Sequence, residues 1–428
     1  MVIVDTALKR CQEEGTPVRV GLVGAGYMGR AIALQIEQCV PGMRVAGISN
    51  RHIERAQAAY RLAETPHEPV VAAELQAVEH AVAQDRPVVT EDPQLLCQAA
   101  GIDAVVDCTG DIEFGAGVAL AALSHGKHLV LLNAELDATL GPILKHRADQ
   151  QGVVCTGPDG DEPGVAMTLY RLVASLGLKP VLAGNLKGLY DPYRNPDTQR
   201  AFAEKVGQDP RAITSYADGT KLSMETCVLA NAAGFTVGKR GMFGHACDHV
   251  DDVVDLFEPE PLMDRGWVDF LVGAKPGTGA FVVGYSEHPV SQQYLSYFKL
   301  GGGPLYCFYT PFHLPHLQLP LTVARAALFG DPTVTPVGAP CCDVLTVAKR
   351  DLKAGAVLDG IGGFDSYALL DDYTVCRQER LLPMGVSAGC QLIRDVSRDA
   401  PITYSDVTLP KGRLCDQLRT EMEQTFPI

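Results

Sequence analysis

The densest chemical signal in this 428-residue sequence is Gly24-Ala25-Gly26-Tyr27-Met28-Gly29. It follows the apolar run VRVGLVG and opens a segment with helical apolar spacing through Cys39. In such a turn Gly24 permits the tight bend, Gly26 lets a diphosphate approach the backbone, and Gly29 lets the helix pack close to its strand. The helix start then offers unpaired N–H groups and a partial positive charge to that diphosphate. Glycine turns are common, so it is the strand before and the helix after that point to a dinucleotide. An acid at the end of the second strand would bind the ribose hydroxyls of NAD. Here Ser49-Asn50-Arg51 stands in that place. A guanidinium suits a 2′-phosphate and no carboxylate repels it, so NADP(H) is preferred over NAD(H). The alternative is that Arg51 caps a loop and Asn50 binds an NAD ribose. Cys108-Thr109-Gly110 and Asn133-Ala134-Glu135 follow later apolar runs and are expected to border the cofactor, with Cys108, Thr109, Gly110, Asn133 and Glu135 as candidate contacts.

A second group of chemistry-bearing residues starts at Asp159-Gly160-Asp161-Glu162-Pro163-Gly164. Its acids could supply a general base, with Glu162 the candidate, or a divalent cation site at Asp161 and Glu162. The alternative is a helix start, where acids favour the dipole without catalysis. Farther on stand Lys187 in GNLKG, Arg194 in DPYRNP, and Asp218 and Lys221 in SYADGTK, with Glu225 four residues beyond Lys221 on a helix. Lys187, Arg194 and Lys221 would give an acidic protein a cationic spot for a substrate phosphate or a developing alkoxide. Glu162 or Asp218 would handle a proton. Against this, isolated lysines are usually solvated surface groups, as the Lys239-Arg240 pair is expected to be. His313 and His316 have HxxH spacing, but Pro315 between them argues against one helix presenting both to a metal. His313 is read instead as a substrate contact or an interface residue.

The elements needed to position these groups are legible. Apolar runs at 18–24, 43–49, 103–109 and 127–133 alternate with helical patterns at 51–63 and 113–125, which predicts an α/β doubly wound parallel sheet over residues 1–155. The chain then turns rich in Gly, Pro, Asn and Asp. This predicts an α+β substrate and catalytic domain at 156–335, ending in the proline-punctuated DPTVTPVGAP. A small β-rich domain is expected at 336–428. A formal charge of −15 argues against nucleic acid or an anionic membrane as partner. No run of 18 uncharged apolar residues is present, and the amphipathic start MVIVDTALKRCQEEG lacks a secretory apolar core. With 13 scattered cysteines and no CxxC, a reduced cytoplasmic protein is expected. Edge strands in the later segments point to a homo-oligomer.

Taken together, GAGYMG, DGDEPG, GNLKGLYDPYRNPDTQ, SYADGTKLSMET, GTGAFVVG and FYTPFHLPHL resemble the homoserine-dehydrogenase-like oxidoreductases that carry a C-terminal SAF domain. The tail segments VLTVAKRDLKAGAVLD, LLPMGVSAGCQLIRD and APITYSDV resemble the SAF module itself. One branch of that group is the second, DXR-like class of 1-deoxy-D-xylulose 5-phosphate reductoisomerases. The resemblance implies an NADPH-dependent oxidoreductase that reduces a small phosphorylated keto or aldehyde sugar in a basic pocket drawing on Lys187 and Lys221. An isomerising member would benefit from Mg or Mn near Asp161 and Glu162. True homoserine dehydrogenases usually have an Asn-Lys pair where Asn133 is followed here by Ala134. A plain dehydrogenase of a sugar acid or amino-acid-derived aldehyde is the alternative, and a non-catalytic NADP(H) sensor is the alternative of another class.

Overall fold

Seven short, largely apolar runs assemble into a parallel sheet whose central strands are covered on both faces. They are β1 (Val18–Val23), β2 (Met43–Ser49), β3 (Val70–Val71), β4 (Val88–Thr90), β5 (Ala104–Asp107), β6 (His128–Leu131) and β7 (Cys155–Thr156). Their order is β3-β4-β2-β1-β5-β6-β7. Every pairing is parallel, as helical crossovers require. Successive strands leave β1 in opposite directions, to β2 and to β5, so the carboxyl ends of β1, β2 and β5 border the crevice where such sheets take ligands. The two- and three-residue strands β3, β4 and β7 lie below the length at which apolar periodicity is readable.

The computed structural model describes residues 3–428. The chain divides into two compact units, Met1–Asp161 with Leu314–Thr335, and Glu162–His313 with Pro336–Ile428. Three consecutive blocks were expected; instead, residues 314–335 return to the first unit. The physical reason is their apolar face. Leu319, Val323 and Ala324 of the helix Pro315–Phe329 are buried in one core with Val20, Leu22 and Ile32. The following segment is stitched to the sheet edge: Thr333 and Val334 donate their N–H groups to Thr156 Oγ1 at 3.1 and 3.0 Å, and Gly157 bridges Val334.

In the second unit, β8 (Lys179–Lys187), β9 (His245–Ala246), β10 (Trp267–Val272), β11 (Ala280–Tyr285) and β12 (Leu305–Thr310) form a mixed sheet of order β12-β11-β8-β10-β9. The helix Glu162–Ser175 lies on β8 and β11, and the helix Thr220–Ala233 packs on that helix and on β8. The tail adds two antiparallel pairs, β13 (Cys342–Ala348) with β14 (Ser366–Asp372) and β15 (Gln391–Leu392) with β16 (Val407–Thr408). It shares a unit with 162–313 because polar anchors tie it there. Asn231 Oδ1 accepts the N–H groups of Cys341 and Cys342 at 2.7 and 3.1 Å. Lys349 Nζ donates to Asp218 Oδ2 at 2.9 Å and to the carbonyls of Arg194 and Gly363 at 2.6 and 2.9 Å, so all three ammonium protons have acceptors.

That arrangement engages Asp218, for which a proton-handling role was expected, in an ion pair. Its side chain is fully buried, paired with Lys349, and also accepts the Thr220 N–H at 2.9 Å. Burial raises its pKa while Lys349 opposes the shift. Among the described residues no helix is long and apolar enough to cross a membrane.

Two outcomes follow for stability. Leu319→Ala removes buried methyl groups from the first unit's core and lowers unfolding free energy by about 2–5 kcal/mol, where an exposed linker residue would change it by less than about 0.5 kcal/mol; a denaturant titration followed by circular dichroism distinguishes them. Lys349→Met strands the Asp218 carboxylate without its cation and costs about 3–5 kcal/mol, measured the same way, with Lys349→Met/Asp218→Asn recovering part of the loss.

Candidate active site

The glycine turn after β1 is shaped by two glycines and left open by the third. Gly24 has φ 105°, where a side chain would be strained, and a Cβ there would lie 3.1 Å from the Cys108 carbonyl oxygen. A Cβ on Gly29 would come within 2.1 Å of the Gly24 oxygen, so the helix Tyr27–Cys39 could not approach its strand. A Cβ on Gly26 would meet nothing within 4 Å. Gly26 caps that helix without a side-chain hydrogen bond, which leaves its first N–H groups for an anion. These features fit a dinucleotide diphosphate.

The neighbouring candidates fall into two sets. Asn50 Oδ1 accepts the Ala25 N–H at 3.2 Å and Asn50 Nδ2 donates to the His52 carbonyl at 2.9 Å, so its amide braces the turn. Ser49 is buried and its hydroxyl has no hydrogen-bond partner. Arg51 and Tyr27 are exposed, and Met28 is half-buried. At the end of β5 lies a residue that the sequence reading passed over as strand interior. The Asp107 carboxylate is buried and accepts from the Thr109 N–H and hydroxyl at 2.9 and 2.7 Å and from Asn133 Nδ2 at 3.0 Å. Burial pushes its pKa up and the hydrogen bonds hold it down. Asn133 Nδ2 also donates to the Asp111 carbonyl at 3.0 Å, and its Oδ1 accepts the Leu136 N–H at 3.1 Å. Asn133 is thus a helix cap and a brace for Asp107, with both amide protons engaged. Cys108 and Glu135 are half-buried and Gly110 is exposed; burial raises the Cys108 thiol pKa.

The second unit gathers a compact charged cluster. Strand alternation places Asn185 and Lys187, two residues apart on β8, on the same face. Glu162 opens the helix that covers β8, with its carboxylate toward them. Asn185 Nδ2 donates to Glu162 Oε2 at 2.9 Å, and Lys187 Nζ donates to the same oxygen at 2.5 Å. Lys187 Nζ also lies 3.6 Å from Glu225 Oε2, and Lys221 Nζ lies 3.8 Å from Glu225 Oε1, one helical turn away. The His313 ring Nδ1 stands 3.6 Å from Glu162 Oε1 and 3.1 Å from the Thr278 hydroxyl. Both carboxyls are buried, while Lys187 and Lys221 are half-buried. Burial pushes Glu225 up to about 8, with the Glu162 carboxylate adding to the shift and the two lysines opposing it. Glu225 Oε2 is buried and receives no hydrogen bond; protonation turns such an oxygen from an orphaned acceptor into a donor.

Of the residues singled out by type and spacing, Glu162, Lys187, Lys221, Glu225 and His313 are brought together. Arg194 is not among them: its Nε is paired with Asp191 at 2.9 Å. Asn185 and Thr278 were not anticipated, although Asn185 stands two residues before Lys187 in an apolar strand, which is the available signal. The expected cation site at Asp161 and Glu162 does not fit. Glu162 is met by an ammonium, an amide and an imidazole, while burial, with the charge of Asp161 adding to it, pushes Asp137 up to about 7. Among the described residues no group of three or more His, Cys, Asp or Glu could hold a metal ion.

Two family models match separate parts of the chain. Residues 18–132 match the family model of the oxidoreductase family, NAD-binding Rossmann fold, and residues 160–319 match that of oxidoreductase DRL, catalytic domain. Two curated relatives are 1-deoxy-D-xylulose 5-phosphate reductoisomerases. That of Cyanothece sp. is 20% identical over 205 residues, covering 43% of this chain and 49% of the relative. That of Cereibacter sphaeroides is 26% identical over 196 residues, covering 45% and 47%. The chain therefore spans about half the length of the curated relatives it matches. Among solved structures, a homoserine dehydrogenase from Thiobacillus denitrificans is 13% identical with a TM-score of 0.43, covering 83% of this chain and 90% of that one. The myo-inositol dehydrogenase from Lactobacillus casei in complex with NAD(H) and myo-inositol is 17% identical with a TM-score of 0.36, covering 63% and 72%. The first unit is thus similar to NAD-binding Rossmann domains of the oxidoreductase family, and the segment 162–313 is similar to the catalytic domain of oxidoreductase DRL.

Proposed function

We propose that the protein reduces a small phosphorylated keto or aldehyde sugar with NADPH, at the cluster formed by Glu162, Lys187, Lys221 and Glu225. The observation that carries this reading is one ammonium, Lys187, set between two buried carboxyl groups with a second ammonium beside it. The nicotinamide, when bound, supplies a hydride to a carbonyl carbon. Lys187 orients the carbonyl oxygen and stabilises the charge that develops on it. Glu225, protonated at neutral pH, holds the proton which that oxygen needs to become a hydroxyl. Its carboxylate is then stabilised by Lys187 and Lys221. Glu162 and Asn185 fix the Lys187 ammonium, and His313 borders the other Glu162 oxygen. Lys221, with one carboxyl shared between two lysines, leaves the cluster cationic enough for a phosphate.

Arg51, exposed at the end of β2 with no acid beside it in Ser49-Asn50-Arg51, supports NADP(H) over NAD(H). The two antiparallel pairs of the tail support a SAF-like reading of 336–428. A second reading, reductoisomerisation of 1-deoxy-D-xylulose 5-phosphate, is favoured by the names of the partially matching relatives. Incubation with that compound and NADPH, with and without Mg²⁺, tests it directly. Absence of NADPH oxidation there, with turnover of another carbonyl sugar, selects plain reduction.

Two variants test the roles. Glu225→Gln lowers kcat by about 10²–10⁴-fold. The sign of the pH dependence follows from the upward shift: the proton is present below about 8 and lost above it, so wild-type kcat falls on the alkaline side while the residual activity of Glu225→Gln does not show that fall. Arg51→Ala weakens NADPH by about tenfold or more and leaves NADH unchanged, read by isothermal titration calorimetry.

A further inference from the structure

The tail carries a polar pocket of about 390 Å³ that plays no part in the cluster above. Its acids are already matched. Asp343 is paired with Arg419 through two bonds of 3.3 and 2.5 Å. Asp416 is held by Arg413 at 2.7 and 3.0 Å, and Glu423 lies 3.4 Å from Arg377. Arg380 also lines the pocket, is exposed, and has no carboxylate partner among the described residues. Because Asp416 is matched by Arg413 from outside the lining, the three lining acids each have a guanidinium and Arg380 is left over.

Where Arg380 stands sharpens the point. The helix Tyr373–Gln378 ends at Glu379, and Arg380 follows with φ 54°. That left-handed position after a helix is the one glycine fills without strain, and a long side chain there costs stability. The backbone is fixed in this shape, since Tyr404 donates its N–H to the Arg380 carbonyl at 2.9 Å and Leu381 bridges Thr403. Beside it, burial pushes the Tyr404 phenol up to about 12, so it remains a hydroxyl donor. A strained arginine, a phenol donor and a polar cavity converge on one opening.

We propose that this pocket is a second ligand site, taking a small organic oxyanion whose phosphate or carboxylate group binds Arg380 and Tyr404. A volume of this size accommodates a small metabolite. The Arg380 guanidinium, which has no carboxylate opposite it, selects an anion, and the three matched pairs hold the walls in place.

The test uses the full chain with inorganic phosphate and, separately, succinate, each added in chloride buffer and followed by thermal shift and calorimetry. Wild type is expected to bind at least one of the two. Arg380→Gly relieves the backbone strain, so it should melt no lower than wild type and keep its NADPH binding, yet lose anion affinity by about tenfold or more. Lys221→Met, altered in the other cluster, should keep it. Phosphate stronger than succinate identifies a phosphorylated ligand, and the reverse a carboxylate. Since the Lys221 cluster is itself expected to take a phosphate, the deciding comparison is Lys221→Met against Lys221→Met/Arg380→Gly: an anion response that survives in the double variant, that disappears in Lys221→Met alone, or that is absent from wild type with both anions overturns the proposal.

Discussion

Taking a carboxylate out of water costs several kcal/mol unless a cation and hydrogen bonds replace the solvent. The second unit buries Glu162 and Glu225 within reach of a single ammonium, and much of its local structure answers that demand. Lys187 must project from β8 toward the start of the helix Glu162–Ser175. Asn185 must lie on the same face to supply a second donor, and Lys221 must sit one turn before Glu225. If Lys187 were absent, two buried acids would face each other and at least one would have to be neutral. With it present, one carboxyl stays poised to hold a proton near physiological pH. Pairs of acids whose environments drive their protonation apart are the groups suited to proton transfer.

The same constraint accounts for the polar residues that turn out to be structural. Asp218, Asp343 and Asp107 are buried acids of similar sequence character to Glu162 and Glu225. Asp218 and Asp343 each have one dedicated cation, and Asp107 has donors only from Thr109 and Asn133. The distinction between anchor and candidate catalyst thus lies in how the cations are distributed among the acids.

Much of the first unit was legible because glycine spacing, strand and helix fall within one short stretch. GAGYMG, the apolar runs and the strand–helix alternation are local signals, and the glycine turn is where it was expected. The second group was legible as a list of residues and illegible as a map. Lys187, Lys221 and Glu225 could be named from their loops and from helical spacing, but whether Asp218 or Glu225 joined Lys187 depended on Lys349, more than a hundred residues downstream. The helix Pro315–Phe329 shows the same limit. Its periodicity reports that one face is apolar and cannot report which core receives it. Asn133 and Asp107 illustrate a third case, in which strand-end residues read as a cofactor contact and as strand interior brace one another.

The chain passes between its units at Asp161–Glu162 and again at His313–Leu314, so Glu162 and His313 are the first and last residues of the intervening segment. Both belong to the charged cluster, and their side chains approach each other within it. Modular exchange is therefore constrained in an unusual way. A chimera that grafts a foreign insert between residues 161 and 314 replaces both members of that contact at once, whereas one joined a few residues inside the insert retains them with the host. The choice of splice point, more than the choice of donor, would decide which parent supplies the Glu162–His313 contact.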